Sequence, residues 1–129
     1  MLVLTDTTVL IDYLRNAPSA ARVDRLLDRG DVVCTTAINV EEIARGLRPS
    51  EHPVATRLVA GLVIVPLGAR EGRQAGDWRR EFGTQGTTLA QADCLIAAAA
   101  LSVDAVLATG NPKDFPMTEV SVEHWPVGR

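Results

Sequence analysis

Short apolar runs alternate with longer segments of helical periodicity along the whole chain. Runs at residues 2–4, 32–34 and 62–65 are short and consist almost wholly of aliphatic residues, which is typical of strands, and the first of them is expected to be buried. Further strands are predicted at residues 105–108 and, at the sheet edge, 119–122. Because strands and helices alternate at these lengths, the sequence predicts a three-layer α/β/α fold with a mainly parallel central sheet.

Amphipathic segments between the strands predict helices, several with a capping residue at the start. Thr35 or Thr36 begins one of them, and Thr88 with Gln91 forms a capping box before an almost wholly apolar helix. Val23, Leu26 and Leu27 are expected on the inner face of another, which follows a break at residues 16–18. The predicted helices cover residues 9–14, 19–30, 36–48, 51–60, 70–82 and 88–101.

Composition places the chain among globular proteins. It has 129 residues, 47% of them hydrophobic, and a net charge of −3, which excludes intrinsic disorder and a polycationic protein. No apolar run approaches the roughly 20 residues of a membrane span, and no basic region precedes the first apolar run as in a secretory signal. We therefore expect a single domain over residues 1–129, located in the cytoplasm and not in a membrane.

Cysteine and histidine are too few or too isolated for several chemistries. Cys34 and Cys94 lie in apolar segments and are expected to be buried thiols, since two cysteines make neither a disulfide framework nor a four-ligand zinc site. His52 and His124 stand alone in predicted surface segments, away from strand ends. Serine hydrolysis and a histidine metal site are thereby disfavoured, and no glycine-rich phosphate loop is present.

Arginine supplies almost all of the positive charge, because Lys113 is the only lysine among 13 basic residues. This bias reflects either an arginine-favouring genome or bidentate recognition of phosphate. Arg22, Arg25 and Arg29 share one helical face, but two aspartates interleave with them, so salt bridges within the helix explain the pattern equally well.

Two aspartates stand out from their surroundings. The helical neighbours of Asp93 are all apolar, so its carboxylate is costly to bury unless a metal, a catalytic role, an arginine or helix amides compensate it. Asp6 follows the first strand and precedes a helix, a position that suits either an N-cap or a site at the carboxyl edge of the sheet.

Other polar residues are ambiguous on spacing alone. Glu41 and Glu42 both point away from the apolar stripe of their helix and look like a solvated face. Thr109, Asn111 and Asp114 follow the fourth strand, where ordinary turn chemistry accounts for them. Carboxylates without histidine or cysteine ligands suit Mg²⁺ or Mn²⁺, and such ions in a small domain suggest phosphoryl chemistry.

Four short stretches then connect the chain with a known family. They are LTDTTVLID at residues 4–12, EIARGL at 42–47, ADCLIAA at 92–98 and TGNPKDF at 109–115. In this order and combination the chain resembles PIN-domain ribonucleases, specifically the VapC-type toxins of bacterial toxin–antitoxin pairs. The resemblance spans nearly the whole chain.

The resemblance implies a catalytic apparatus of three acids, Asp6, Glu42 and Asp93. Asp6 and Asp93 are expected to coordinate Mg²⁺, or alternatively Mn²⁺, while Glu42 holds a second ion or positions the attacking water. The implied activity is endoribonuclease cleavage of RNA that leaves a 5′-phosphate. The family further implies a homodimer and a VapB-type antitoxin whose C-terminal segment blocks the acidic pocket.

One position departs from the family pattern. Asn111 stands where the family usually has a fourth acid, so the chain has either one metal ion or a substitute ligand. Asp114 is the candidate substitute, although the composition around it favours a capping role, and Thr109 is expected to orient a water or a phosphate.

Two other functions stay open. A catalytically silent PIN-like binding module is compatible with the loss of the fourth acid. A receiver-like phosphoacceptor domain also has an acidic pocket at strand ends, but it needs a lysine at the end of a late strand, and Lys113 lies in the Asn-Pro turn.

Overall fold

The central sheet of the protein has five strands in the order β3-β2-β1-β4-β5. We describe it from a computed structural model, which covers residues 1–15 and 19–127. All four strand pairings are parallel, which confirms the predicted sheet. The strands are β1 (Leu2–Thr5), β2 (Val32–Thr35), β3 (Val63–Ile64), β4 (Val106–Thr109) and β5 (Val122–His124).

Helices connect the strands and cover the sheet. Short 3₁₀ turns at Pro49–Glu51 and Pro112–Asp114 add to them. Within the described residues the helices are α1 (Thr7–Leu14), α2 (Ser19–Asp28), α3 (Ala37–Gly46), α4 (His52–Ala60), α5 (Ala69–Thr84) and α6 (Gln91–Ser102). None of them is long and apolar enough to cross a membrane.

The two faces of the sheet pack against different helices, because successive strand residues point to opposite sides. Val3 and Val33 face one side, where Val23 and Leu26 of α2 cover them. Leu4 and Leu107 face the other side and pack on α5 and α6, in a cluster that includes Trp78. A third cluster joins α1, α3 and α4. The predicted three-layer α/β/α architecture is therefore confirmed.

The cap of α3 settles one local prediction. Thr36, not Thr35, is the N-cap, and its hydroxyl accepts the backbone N–H of Asn39 while the Asn39 side chain accepts the N–H of Thr36. Cys34 and Cys94 are free and buried, and both histidines are exposed, as expected. The prediction that both histidines lie away from strand ends is wrong for His124, which is the last residue of β5. Leu27 differs from its prediction, since 46% of it is exposed. The predicted break at residues 16–18 lies outside the described residues.

The start of α6 also differs from the prediction. The helix begins at Gln91, with Ala90 at the N-cap and no capping side chain, instead of at the Thr88 capping box. Leu89 is buried in the core and its carbonyl accepts a hydrogen bond from Arg79 Nε at 3.1 Å, so tertiary contacts keep this segment extended. Asp93 consequently lies in the first turn of α6.

The last strand begins later than predicted. β5 starts at Val122, whereas residues 119–122 were expected to form it. Met117 and Val120 are buried in the core, and the Glu119 carboxylate accepts a hydrogen bond from Trp78 Nε1 at 3.2 Å. These residues therefore pack against helices instead of pairing with β4.

Candidate active site

Asp6 occupies the carboxyl edge of the sheet, between the central strand β1 and its neighbour β4. It follows β1 and is buried, and its Oδ1 accepts the N–H of Thr7 at 2.6 Å, so it caps α1 as one sequence interpretation proposed. Its Oδ2 accepts the hydroxyl of Thr109, at the end of β4, at 2.7 Å, and that of Thr8 at 3.4 Å. Parallel pairing of β1 with β4 brings these groups together.

The turn after β4 is tied to the same edge. The N–H of Asn111 donates to Thr109 Oγ1 at 3.0 Å, and the N–H of Gly110 donates to Thr8 Oγ1 at 3.1 Å. A Cβ at Gly110 would lie 2.7 Å from Val127 Cγ2, so only glycine fits there without a shift. The Asn111 side chain is exposed, and no side chain of the described residues caps the turn.

Glu42 and Glu41 have different environments, although spacing could not separate them. Glu41 is exposed and pairs with Arg45 at 3.0 Å. Glu42 is half-buried, and its Oε1 accepts the hydroxyl of Thr7 at 2.6 Å. The expected solvated face is therefore correct for Glu41 and wrong for Glu42.

A chain of hydrogen bonds with fixed direction holds Glu42. The backbone N–H of Thr36 can only donate, so it identifies the Asn39 side-chain atom facing it as the carbonyl oxygen, at 3.1 Å. The Asn39 amide nitrogen then donates to Thr7 Oγ1 at 3.0 Å, which leaves the Thr7 hydroxyl proton for Glu42. Asn39 is completely buried, so water does not compete for these bonds.

Asp93 and Asp114 complete a group of four acids. Burial raises the pKa of Asp93 to about 6, and the charges of Asp114, Asp6 and Glu42 contribute in that order. Burial also raises the pKa of Asp6, and Glu42 adds to the shift, against the opposing hydrogen bonds from Thr109 and Thr7. The four acids therefore repel one another across one edge of the sheet.

Neither Asp93 nor Asp114 has the partners that a structural role requires. Within the described part of the chain, neither carboxylate accepts a hydrogen bond or forms an ion pair, and Asp93 receives none from the first-turn amides of α6. The capping interpretation of Asp114 is therefore not supported. Its charge is instead the largest electrostatic influence on Asp93.

The donor set suits a hard divalent cation. Carboxylate oxygens are what Mg²⁺ prefers, and repulsion among them is relieved by positive charge. Among residues 1–15 and 19–127, no three His, Cys, Asp or Glu side chains lie close enough to form a complete ligand cluster.

Comparison with known proteins places the chain in a family. The model of the PIN domain family matches residues 3–119. The chain belongs to the PIN domain family. Ribonuclease VapC19 of Mycobacterium tuberculosis is 31% identical to this PIN domain over 88% of the chain and 92% of the relative. Ribonuclease VapC10 of the same organism is 30% identical over 92% of the chain and 89% of the relative, which places the chain in the VapC branch.

Solved structures of similar fold include VapBC complexes. VapBC-1 of nontypeable Haemophilus influenzae matches this PIN domain with a TM-score of 0.80 and 27% identity, covering 97% of the chain and 98% of its counterpart. A DNA-bound VapBC from Salmonella typhimurium matches with a TM-score of 0.81 and 25% identity, covering 97% and 99%.

The sequence interpretation did not single out Thr7, Thr8 or Asn39 as site residues. Thr7 and Thr8 stand beside Asp6 in the stretch that carries the family resemblance, so their position was available as a signal. Asn39 had a weaker signal, a polar residue in the first turn of an amphipathic helix, which is also the composition of an ordinary capping box.

Proposed function

We propose that this PIN domain is a metal-dependent endoribonuclease of the VapC type, which hydrolyses RNA with Mg²⁺ or Mn²⁺. The observation that carries the proposal is that the charges of Asp114, Asp6 and Glu42 all act on Asp93, whose pKa is raised to about 6, with no cationic partner for Asp6, Asp93 or Asp114 among the described residues. A bound cation relieves the repulsion among these carboxylates, as a proton on one of them also does.

Each acid has a distinct task in this proposal. Asp6 and Asp93 hold the ion, which when bound neutralises the phosphate charge and activates a water. Asp6 is oriented for this by Thr7 and Thr109. Glu42 has its Oε1 occupied by Thr7, so Oε2 is the atom that accepts a proton or a hydrogen bond from the attacking water. Water attack leaves the 5′-phosphate on the product.

The toxin–antitoxin setting is part of the same proposal. Relatives of similar fold are solved as VapBC complexes, and we propose a VapB-type antitoxin as partner, with an arginine that reaches Asp6 and Asp93 in place of the cation. We also propose a homodimer and action in the cytoplasm, where RNA substrates are found.

Cleavage of a labelled RNA by the purified chain tests the function directly. We expect fragments with 5′-phosphate ends in Mg²⁺ and none in EDTA. A silent binding module retains the RNA without cutting it at any Mg²⁺ or Mn²⁺ concentration, and that outcome contradicts the proposal. A receiver-like domain instead becomes phosphorylated by a small phosphodonor.

Replacing Thr7 tests the hydrogen-bond chain to Glu42. Thr7→Val keeps the shape of the side chain but removes the donor to Glu42 and the acceptor for Asn39. We expect cleavage to fall about 10- to 100-fold, as for other outer-shell partners of a metal site. Thr7→Ser keeps the hydroxyl and should retain most of the activity. Turnover and calorimetric Mg²⁺ affinity, measured for both variants, separate loss of positioning from loss of folding.

Thermal melting supplies the control for this pair. Thr7→Val leaves buried Asn39 without its acceptor, which costs about 1–3 kcal/mol of stability. Activity is therefore compared per folded molecule, well below the melting transition. Equal turnover in the valine and serine variants contradicts a positioning role for the hydroxyl.

Asp114→Asn tests whether Asp114 replaces the missing fourth acid. Removing its charge takes away the largest electrostatic influence on Asp93, so we expect the pKa of Asp93 to fall and cleavage to require several-fold more Mg²⁺. Asn111→Asp should act in the opposite direction on Mg²⁺ affinity. If Asp114 only stabilises the turn, Asp114→Asn keeps the wild-type Mg²⁺ dependence and Asp114→Ala loses about 1 kcal/mol of stability with turnover per folded molecule unchanged.

A further inference from the structure

A second concave surface lies on the α2 side of the sheet and has no role in the chemistry proposed above. Its volume is about 300 Å³, and its floor is apolar, formed by Val3, Leu26, Val106 and Trp125. Arg22, Arg25 and Arg29 line it, with Glu123 as the only carboxylate among the lining residues. We call it the arginine pocket.

The pocket explains the arginine face of α2 that the sequence left ambiguous. Positions 22, 25 and 29 are spaced so that all three side chains share one face. Salt bridges within the helix, the alternative interpretation, are absent from the described residues. Arg22 instead contacts Glu123 at 3.3 Å, Arg29 contacts Asp31 at 2.6 Å, and Asp24 accepts the hydroxyl of Tyr13.

Arg25 is the guanidinium that remains available. It is exposed and forms no ion pair within the part of the chain that the structure describes. Arg22 is positioned by stacking 4.4 Å from the centroid of the Trp125 ring, and the Trp125 indole N–H donates to Glu123 at 2.7 Å. Arg22 and Arg29 each pair with one carboxylate, Glu123 and Asp31, so Arg25, unpaired among the described residues, leaves an excess of positive charge.

The arginine pocket extends from the amino ends of β1 and β4, where Met1 and Val106 line it, to Trp125. Through Trp125 it is connected with the acidic edge, as we call the carboxyl edge of the sheet that carries Asp6, Glu42, Asp93 and Asp114. The backbone N–H of Trp125 donates to the carbonyl of Thr109 at 2.8 Å, and the Thr109 hydroxyl donates to Asp6. Trp125 is therefore the lining residue of the pocket that is linked through Thr109 to Asp6. The charge of the pocket has the sign that a polyanion needs, in a chain whose net charge is −3.

We propose that the arginine pocket binds a phosphate group of the RNA strand outside the cleavage site, with Arg25 as its main donor. Planar guanidiniums hold phosphate through paired hydrogen bonds, and the apolar floor accommodates the adjoining sugar and base. Glu123 competes with the phosphate for Arg22, so it sets the strength of binding. This inference rests on the proposed function for the identity of the ligand, since RNA is the polyanion that the acidic edge is proposed to cut.

Anisotropy of a labelled 12-nucleotide RNA tests the proposal, with Asp93→Asn as the background that prevents cleavage. In that background we expect Arg25→Glu to weaken RNA binding by about tenfold or more and Arg25→Ala to weaken it less. The salt dependence of binding should fall by about one ion for Arg25→Ala. Glu123→Gln keeps the acceptor for Trp125 and removes the competing charge, so it should strengthen binding.

Arg80→Glu is the matched control, because Arg80 is exposed and paired with Asp77 on α5, in the layer on the opposite face of the sheet. Equal loss of affinity in Arg80→Glu and Arg25→Glu overturns the proposal, since a general charge effect then explains both. Unchanged affinity in all Arg25 variants also overturns it.

Competition distinguishes the sources of the phosphate. Inorganic phosphate or a nucleoside monophosphate that stabilises wild type but not Arg25→Glu supports a phosphate site, and RNA affinity unaffected by the same variant overturns the RNA assignment. Competition by a glutamate-rich peptide as strong as that by RNA overturns the choice of ligand class. If wild type binds RNA through Arg25 but never cleaves it, the pocket stands and the nuclease proposal fails.

Discussion

Asp93→Asn is expected to abolish Mg²⁺-dependent RNA cleavage while leaving the fold intact. The substitution removes one of two carboxylates proposed to hold the ion, and loss of an outer-shell partner alone costs such sites about 10- to 100-fold. We therefore expect more than about a hundredfold loss of turnover, beyond the outer-shell range. The measurement is the initial rate of cleavage at saturating Mg²⁺, with folding checked by circular dichroism.

Asp104→Asn is the matched control for this variant. Asp104 follows the opposite end of α6, is exposed, and has a φ of 54°, a conformation that asparagine tolerates well. The Asp104→Asn variant loses the same charge as Asp93→Asn at a position nearby in the sequence, but it leaves the acidic edge unchanged. Wild-type cleavage by a clean Asp93→Asn preparation contradicts the assignment of Asp93, and comparable losses in both variants point to net charge instead.

Mg²⁺ is expected to stabilise the folded chain, and more strongly at neutral than at acidic pH. An ion that binds only the folded state adds about 2.7 kcal/mol at a hundredfold excess over Kd. The pKa of Asp93 is raised to about 6, so below that pH a proton occupies the carboxylate and competes with the ion. Melting of EDTA-treated protein with and without Mg²⁺, at pH 5 and pH 7.5, measures both effects.

The metal-free protein should show the opposite pH trend at this group. The folded-state pKa of Asp93 lies above its ordinary value of 3.8, so the folded state binds more protons than the unfolded state between about pH 4 and 6. The contribution of Asp93 to stability is therefore present at low pH and is lost as the pH rises through 6. Asp93→Asn should flatten this trend and remove most of the Mg²⁺ stabilisation. A trend unchanged in that variant contradicts the assignment.

The fold was largely predictable because its signals are local. Aliphatic runs of three or four residues between polar turns favour strands, and their alternation with amphipathic segments favours one architecture. The errors arose where tertiary packing overrode a local signal. Burial of Leu89 kept a good capping box extended, and burial of Val120 replaced a predicted edge pairing.

The candidate site was only partly predictable from the residues themselves. Asp93 was conspicuous because a charge stands out on an apolar helix. Glu42 was not conspicuous, because helical periodicity identifies only the apolar face of α3. The environment of Glu42 depends on Thr7, which lies 35 residues earlier in the chain. The family resemblance supplied Glu42, but neither spacing nor resemblance indicated that Asn39 fixes the direction of the bonds around it.

The hydrogen bond between Thr109 and Asp6 joins residues that are 103 positions apart in the chain. This separation determines how much of the chain must be synthesised before the acidic edge is complete. β1 is made first but completes its pairing only when β4 arrives. At elongation rates of about 5–20 residues per second, this leaves roughly 5–20 seconds during which a nascent chain carries Asp6 without its partner strand. A ribosome that stops before residue 109 therefore releases an incomplete acidic edge, so any toxic activity built on this site is confined to chains translated almost to their end.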